Sequence, residues 1–256
     1  MLRNTPLAFV QRRGPQVRRA ILATLAVLLV MLAFGFGRAR AESESNERPA
    51  PFGPTDGVPD AWIVIMNEYV SDPAAAGPKL IAIHREAGAD LHPMVQIVVA
   101  DAYLRSGNRR AAQRLFENVL ATDPPYPWND FGNVGMGTVR MLAGDTDGAS
   151  QYFERLTGAE EGSSRALGNL GMGSALAADG RFDEAKKAFD EVGSSNSVDE
   201  EVRLAGRFGS ATALYGAGDY EGALKAFEEI AARDPDGPIG RDARFAAARA
   251  RLALGP

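Results

Sequence analysis

Side chains able to do chemistry are few in this chain, and their spacing does not assemble them. Its 256 residues hold two histidines, His84 and His92, and no cysteine. Disulfides, thiolate metal sites, cysteine nucleophiles and a lipidated cysteine are therefore excluded. The histidines lack further ligands nearby and read as solvated or hydrogen-bonded structural groups. No Ser/His/Asp arrangement is legible. The acid pairs Glu160-Glu161 and Glu200-Glu201, near Ser163 and Ser197, read as loop or helix-start charges. Two related runs, Gly132-Asn133-Val134-Gly135-Met136-Gly137 and Gly168-Asn169-Leu170-Gly171-Met172-Gly173, have the composition of a phosphate-cradling loop. No strand pattern precedes either, and both fall inside a helix, where each glycine costs about 1 kcal/mol relative to alanine. Close helix packing is the expected compensation, with direct ligand contact as the alternative. Asn133 and Asn169 could bond a bound peptide backbone or simply a neighbouring helix. No catalytic residue, metal or cofactor is expected.

The elements that position these residues follow one period. Glycines at 107, 144, 180, 218 and 255 are separated by 37, 36, 38 and 37 residues. The segment between Leu214 and Phe227 shows the unit best: a helix, a Gly-Asp turn at Gly218-Asp219, and a second helix, closed by Asp234-Pro235. Self-similarity at this spacing predicts a solenoid of antiparallel helical hairpins, an all-α fold. Before it, Trp62, Ile63, Ile65, Met66, Tyr69 and Val70 recur at helical spacing up to Ser71-Asp72-Pro73. A second short helix is predicted to start at Pro78 and bury Leu80, Ile81 and Ile83. This pair, over 60–92, is read as a degenerate opening hairpin covering the end of the stack. Four repeats follow over 93–240, and a capping helix from about Arg241 occupies 241–256.

The repeats resemble tetratricopeptide repeats (TPR). The first contributes Ala100, Tyr103, Gly107, Ala112, Phe116 and Pro124; the second Gly137, Gly144, Ala149 and Phe153, with Arg140 at the tyrosine position. The third has Gly173, Leu176, Gly180, Ala185 and Phe189, and the fourth Ala211, Leu214, Gly218, Ala223, Phe227 and Pro235. Small residues let paired helices approach, and the phenylalanine fills the wedge between hairpins. A further, narrower likeness lies in Asp234-Pro235-Asp236-Gly237-Pro238. It is similar to the C-terminal repeats of the Tol-Pal-associated cell-division coordinator and of membrane-anchored translocon ancillary proteins, an exported bacterial envelope type.

The resemblance implies a ligand-binding concave face made by the first helix of each hairpin. Carried over residue by residue, that face comprises Ile97, Asp101 and Leu104; Phe131, Val134, Thr138 and Met141; Leu170 and Ser174; and Phe208, Thr212 and Tyr215. Met94, Leu167, Ala177 and Ala205 occupy the remaining equivalent positions. The Lys, Arg and Asn of a carboxylate clamp are missing there. A groove of Met, Phe, Leu and Val suits an amphipathic helix or extended apolar segment, with the polar members setting its direction. The alternative is that neighbouring helices or the linker cover several of these side chains.

Charge and the N-terminus address location. Residues 1–41 carry seven arginines and no acid, leaving 21 basic against 33 acidic residues, a net of −12, in the remainder. An acidic body argues against nucleic acid as a partner. Ala20 to Gly37 is an uncharged apolar run behind five arginines, followed by Ala39-Arg40-Ala41. Residues 1–41 therefore read as a cleaved signal peptide or a retained membrane anchor, with Arg18-Arg19 loosely like a twin-arginine signal. Either places the body outside the cytoplasm, in the periplasm or anchored to the inner membrane. Residues 42–59, with four prolines, form a linker expected to be disordered. The expected function is a non-catalytic adaptor or scaffold that binds a protein or peptide. Its alternatives are a fixed subunit of an inner-membrane assembly and an exported enzyme or cofactor carrier.

Overall fold

A computed structural model describes residues 58–87 and 91–255; the signal or anchor segment and most of the linker lie outside this range. The described residues form α-helices and no strand. Two opening helices, α1 (Asp60–Ser71) and α2 (Pro73–Ala87), precede four hairpins. These are α3 (Pro93–Arg105) with α4 (Arg109–Ala121), α5 (Trp128–Ala143) with α6 (Thr146–Thr157), α7 (Gly162–Ala178) with α8 (Phe182–Gly193), and α9 (Glu200–Ala217) with α10 (Tyr220–Arg233). The last described helix is α11 (Pro238–Leu254). Each helix packs on the next in sequence, and each first helix also touches the following first helix, which stacks the hairpins in register.

The periodic glycines act through backbone geometry. Gly107, Gly144, Gly180, Gly218 and Gly255 all have φ between 79° and 91°, a left-handed conformation that glycine adopts without a Cβ clash. At the four internal turns the following N–H bonds back to a carbonyl of the finished helix, as in Asp145 to Arg140 at 3.0 Å and Asp219 to Leu214 at 3.0 Å. This motif satisfies carbonyls otherwise left without partners. Asn108, Asp145 and Asp219 then cap the second helices by accepting from the N–H three residues on.

The wedge phenylalanines knit the stack together. Phe116, Phe153, Phe189 and Phe227 are 1–5% exposed. A Cβ on Gly137 or Gly171 would lie 2.5 or 2.2 Å from the Phe153 ring, and one on Gly173 or Gly209 would lie 2.8 or 2.4 Å from the Phe189 ring. Each ring thus sits between its own first helix and the next one. The glycine-rich runs are packing surfaces, as expected from their position inside helices.

Three local expectations need correction. The second opening helix starts at Pro73, with Pro78 inside it. The Asp72 carboxylate accepts from the N–H groups of Ala74 and Ala75, so the stop signal of one helix is also the start signal of the next. Ile83 is 39% exposed rather than buried, because α2 turns Ala76, Leu80 and Ile81 inward instead. The last helix begins at Pro238, where a missing N–H is harmless, three residues before Arg241.

Candidate protein-binding face

The first helices lie side by side, so residues at a fixed distance before each turn glycine form ladders across the stack. Ten residues before the glycine stand Ile97, Val134, Leu170, Phe208 and Phe245; three before it stand Leu104, Met141, Ala177, Tyr215 and Leu252. Between them, six before the glycine, are Asp101, Thr138, Ser174, Thr212 and Arg249. The positions expected to bind a ligand are thus in register, but they are not equally available.

Neighbouring helices cover the middle of the ladders. Phe131, Val134, Thr138, Met141, Leu170 and Ser174 are 2–4% exposed, and Asp101 is 8% exposed. The four apolar members belong to one core with Phe153 and Phe189. Ile97, Leu104, Phe208, Thr212 and Tyr215 remain half-exposed. Sequence reasoning left open whether the groove would be covered, and the described residues divide it: closed in the second and third repeats, open at the first and fourth.

The polar members are largely occupied. Thr138, Ser174 and Thr212 donate their hydroxyls to the carbonyls of Val134, Leu170 and Phe208 at 2.9, 2.7 and 2.8 Å. This back-bonding inside a helix satisfies a buried hydroxyl without outside help. Asp101 accepts from the Tyr69 hydroxyl at 2.6 Å and from Arg105 Nε at 2.7 Å. Burial pushes the Asp101 carboxyl up, opposed by Arg105 and Tyr69. The Tyr69 hydroxyl is pushed far up by burial and then by the adjoining carboxylate. Cross-helix pins of the same kind recur where Ser164 donates to Asp130, whose carboxyl burial also pushes up. Ser210 likewise donates to Asp190, at 2.7 Å. Perturbed carboxyls in a cleft can mark catalysis; here Asp101 and Asp130 each meet a hydroxyl from a neighbouring helix and hold helices in register.

The remaining chemistry-bearing residues are also engaged within the chain. His92 caps α3, its Nδ1 accepting the Met94 N–H at 3.2 Å, and sits edge-on to Trp128. His84 Nδ1 lies 3.2 Å from the Tyr103 hydroxyl. Asn133 bonds Asn129 and Arg155, while Asn169 donates to Glu191 at 2.9 Å, so both bridge to neighbouring backbone or helices. Glu200 pairs with Arg203 at 2.7 Å, and Arg109 bonds the Leu142 carbonyl. Among the described residues, no group of three or more His, Asp or Glu side chains could hold a metal ion. None of the described helices is long and apolar enough to cross a membrane.

At the C-terminal end the face opens fully. Phe245 is 70% and Leu252 82% exposed, and the Arg249 guanidinium lies 5.3 Å from the Tyr215 ring centroid. A further ring contact joins Tyr215 to Tyr220 at 5.1 Å. Sequence reasoning missed these α11 positions, although counting back from Gly255 would have placed Phe245, Arg249 and Leu252 on the ladders.

Comparison with known proteins agrees with this architecture. No curated protein matches the chain. Among solved structures, the putative kinesin light chain of Podosopora anserina, described as nearly identical TPR-like repeats, superposes with a TM-score of 0.51 at 21% identity. A substituted form of the same protein gives 0.52 at 22% identity; each match covers 65% of this chain and 90% of that one. At such identity the likeness speaks for the fold alone. The sequence profile described as Tetratricopeptide repeat matches residues 134–197 and 208–255. With a positive-φ glycine at each of the four internal turns, four wedge phenylalanines and a stack of hairpins in register, residues 134–197 and 208–255 are tetratricopeptide repeats, which are generally protein–protein interaction modules.

Proposed function

We propose that this protein is a non-catalytic adaptor of the bacterial cell envelope, binding a protein segment along the first-helix face where that face is open. The observation that carries the reading is the unequal burial of the ladders. Their polar rungs are spent on internal bonds, while Ile97, Leu104, Phe208 and Tyr215 keep apolar surface available at the first and fourth repeats. Helix-in-groove binding needs such apolar anchors at helical spacing, with few precisely aimed polar groups. The envelope location is supported by the arginine-led apolar run at 20–37 and the Ala39-Arg40-Ala41 segment. It is tested by N-terminal sequencing of the mature chain from fractionated cells.

The adaptor reading is tested by photo-crosslinking in intact cells. A photoreactive residue replacing Leu104 or Thr212 should capture one and the same partner, whereas the same group at Glu117 or Lys225 on the second helices should not. Equal capture from both faces would remove the first-helix face from the mechanism. A fixed subunit of a membrane assembly would be recognised by comigration with one complex of constant size after solubilisation.

A further inference from the structure

We propose that the open face of α11, along Arg241, Phe245, Ala248 and Leu252, is the docking seam for a protein helix that presents an aromatic residue followed by carboxylates. The inference rests on the adaptor reading and specifies the partner's chemistry at one end of the stack. Its starting point is the residue seven before each turn glycine: Ala100, Gly137, Gly173, Ala211 and Ala248. The first four are buried. At Gly137 and Gly173 the covering group is the wedge phenylalanine of the repeat's own second helix, Phe153 or Phe189. Ala248 has the same phase and is exposed. Phe245 and Leu252 flank that seat at 70% and 82% exposure.

The charge around the seat indicates what fills it. Helix α11 carries Arg241, Arg244, Arg249 and Arg251 against the single acid Asp242, on an otherwise acidic body. Every second helix in this chain follows its wedge phenylalanine with an acid: Phe116-Glu117, Phe153-Glu154, Phe189-Asp190 and Phe227-Glu228. One such acid already reaches α11, since Glu228 accepts from Arg251 at 2.5 Å. A helix of this pattern would seat its ring on Ala248 between Phe245 and Leu252 and place carboxylates near the arginines. A two-fold pairing of α11 with its copy would instead oppose two arginine rows. A lipid surface is the weaker fit, because interfacial binding scales with buried apolar area and only two large apolar side chains are offered in the seam.

The test uses the full chain and a fluorescent peptide with the sequence of residues 220–233, read by fluorescence anisotropy. Binding is expected, weakened at least tenfold by Phe245→Ser with Leu252→Ser in the protein. A similar loss is expected when the peptide carries Phe227→Ser or has both Glu228 and Glu229 replaced by lysine. Circular dichroism should show the protein variant folded, as expected for side chains this exposed. Absence of binding, or equal binding by the protein variant or the charge-reversed peptide, would overturn the proposal. So would sedimentation of the wild type but not the variant with phosphatidylglycerol vesicles, or a dimer that dissociates in the variant. Retention of the crosslinked partner at Leu104 and Thr212 by a variant that no longer binds the peptide would dissociate the two readings. The adaptor would then stand while its partner used a different end of the face.

Discussion

At matched positions before their turn glycines, the second and third repeats hold Val134, Met141, Leu170 and Ala177 at no more than 7% exposure, whereas α11 holds Phe245 and Leu252 at 70% and 82%. The side chains are of similar character, so hydrophobicity does not decide their fate. Neighbours do. In the middle of the stack, glycines let the phenylalanine rings of adjacent hairpins sit against the helix backbone, and the close approach seals the ladder. At α11 the same phase meets solvent among the described residues. A repeat protein can therefore write one surface pattern along its length and use it as core in one place and as recognition surface in another.

The largest effect that breaks this contrast is expected from Phe153→Ala. It removes a 1% exposed ring seated between two first helices and should cost about 3–5 kcal/mol in urea unfolding. A loss below about 1 kcal/mol would mean that the wedge does not seal the middle. Next, Gly171→Ala should destabilise by about 1–3 kcal/mol through overpacking, although helix propensity alone predicts a gain of about 1 kcal/mol. The ideal Cβ would lie 2.2 Å from the Phe153 ring. In the Phe153→Ala background the sign should reverse, and the double-mutant cycle reads that coupling directly.

A smaller effect sharpens the comparison at the other end of the stack, where the cap of α3 is a histidine. The His92 Nδ1 must be unprotonated to accept the Met94 N–H. Burial lowers its pKa, and burial followed by Arg85 lowers that of His84. Stability from a lowered pKa is fully present above the unfolded value of about 6.5 and is lost as pH falls through the folded value. The melting temperature should thus drop as pH falls below about 6.5. His92→Asn, which keeps a capping oxygen without titrating there, should flatten that drop; an unchanged slope would assign it elsewhere. The smallest effect belongs to α11: Phe245→Ser with Leu252→Ser should stay within about 0.5 kcal/mol of wild type. A larger loss in unfolding experiments would show that these residues support the stack.

The hairpins were legible because their signals are local. A glycine at the left-handed turn and, in three of the four hairpins, an Asn or Asp cap after it act within one repeat, and a small residue and phenylalanine recur at fixed offsets from them. The opening helices were less so. Pro78 carries a start signal that Asp72 pre-empts from six residues upstream. The face was legible as a register and illegible as a surface. Thr138 and Ser174 look like ligand-binding hydroxyls until their partners prove to be carbonyls four residues back. Asp101 looks available until Tyr69, from the opening helix, occupies it.

The amino-acid sequence by itself determined the period, the turns, the sites of close helix approach and the alignment of the ladders, since all are consequences of backbone conformation and side-chain size at repeating offsets. Tertiary structure alone decided which rungs are core and which are surface. Burial depends on how closely the neighbouring hairpin comes, a relation between segments more than thirty residues apart.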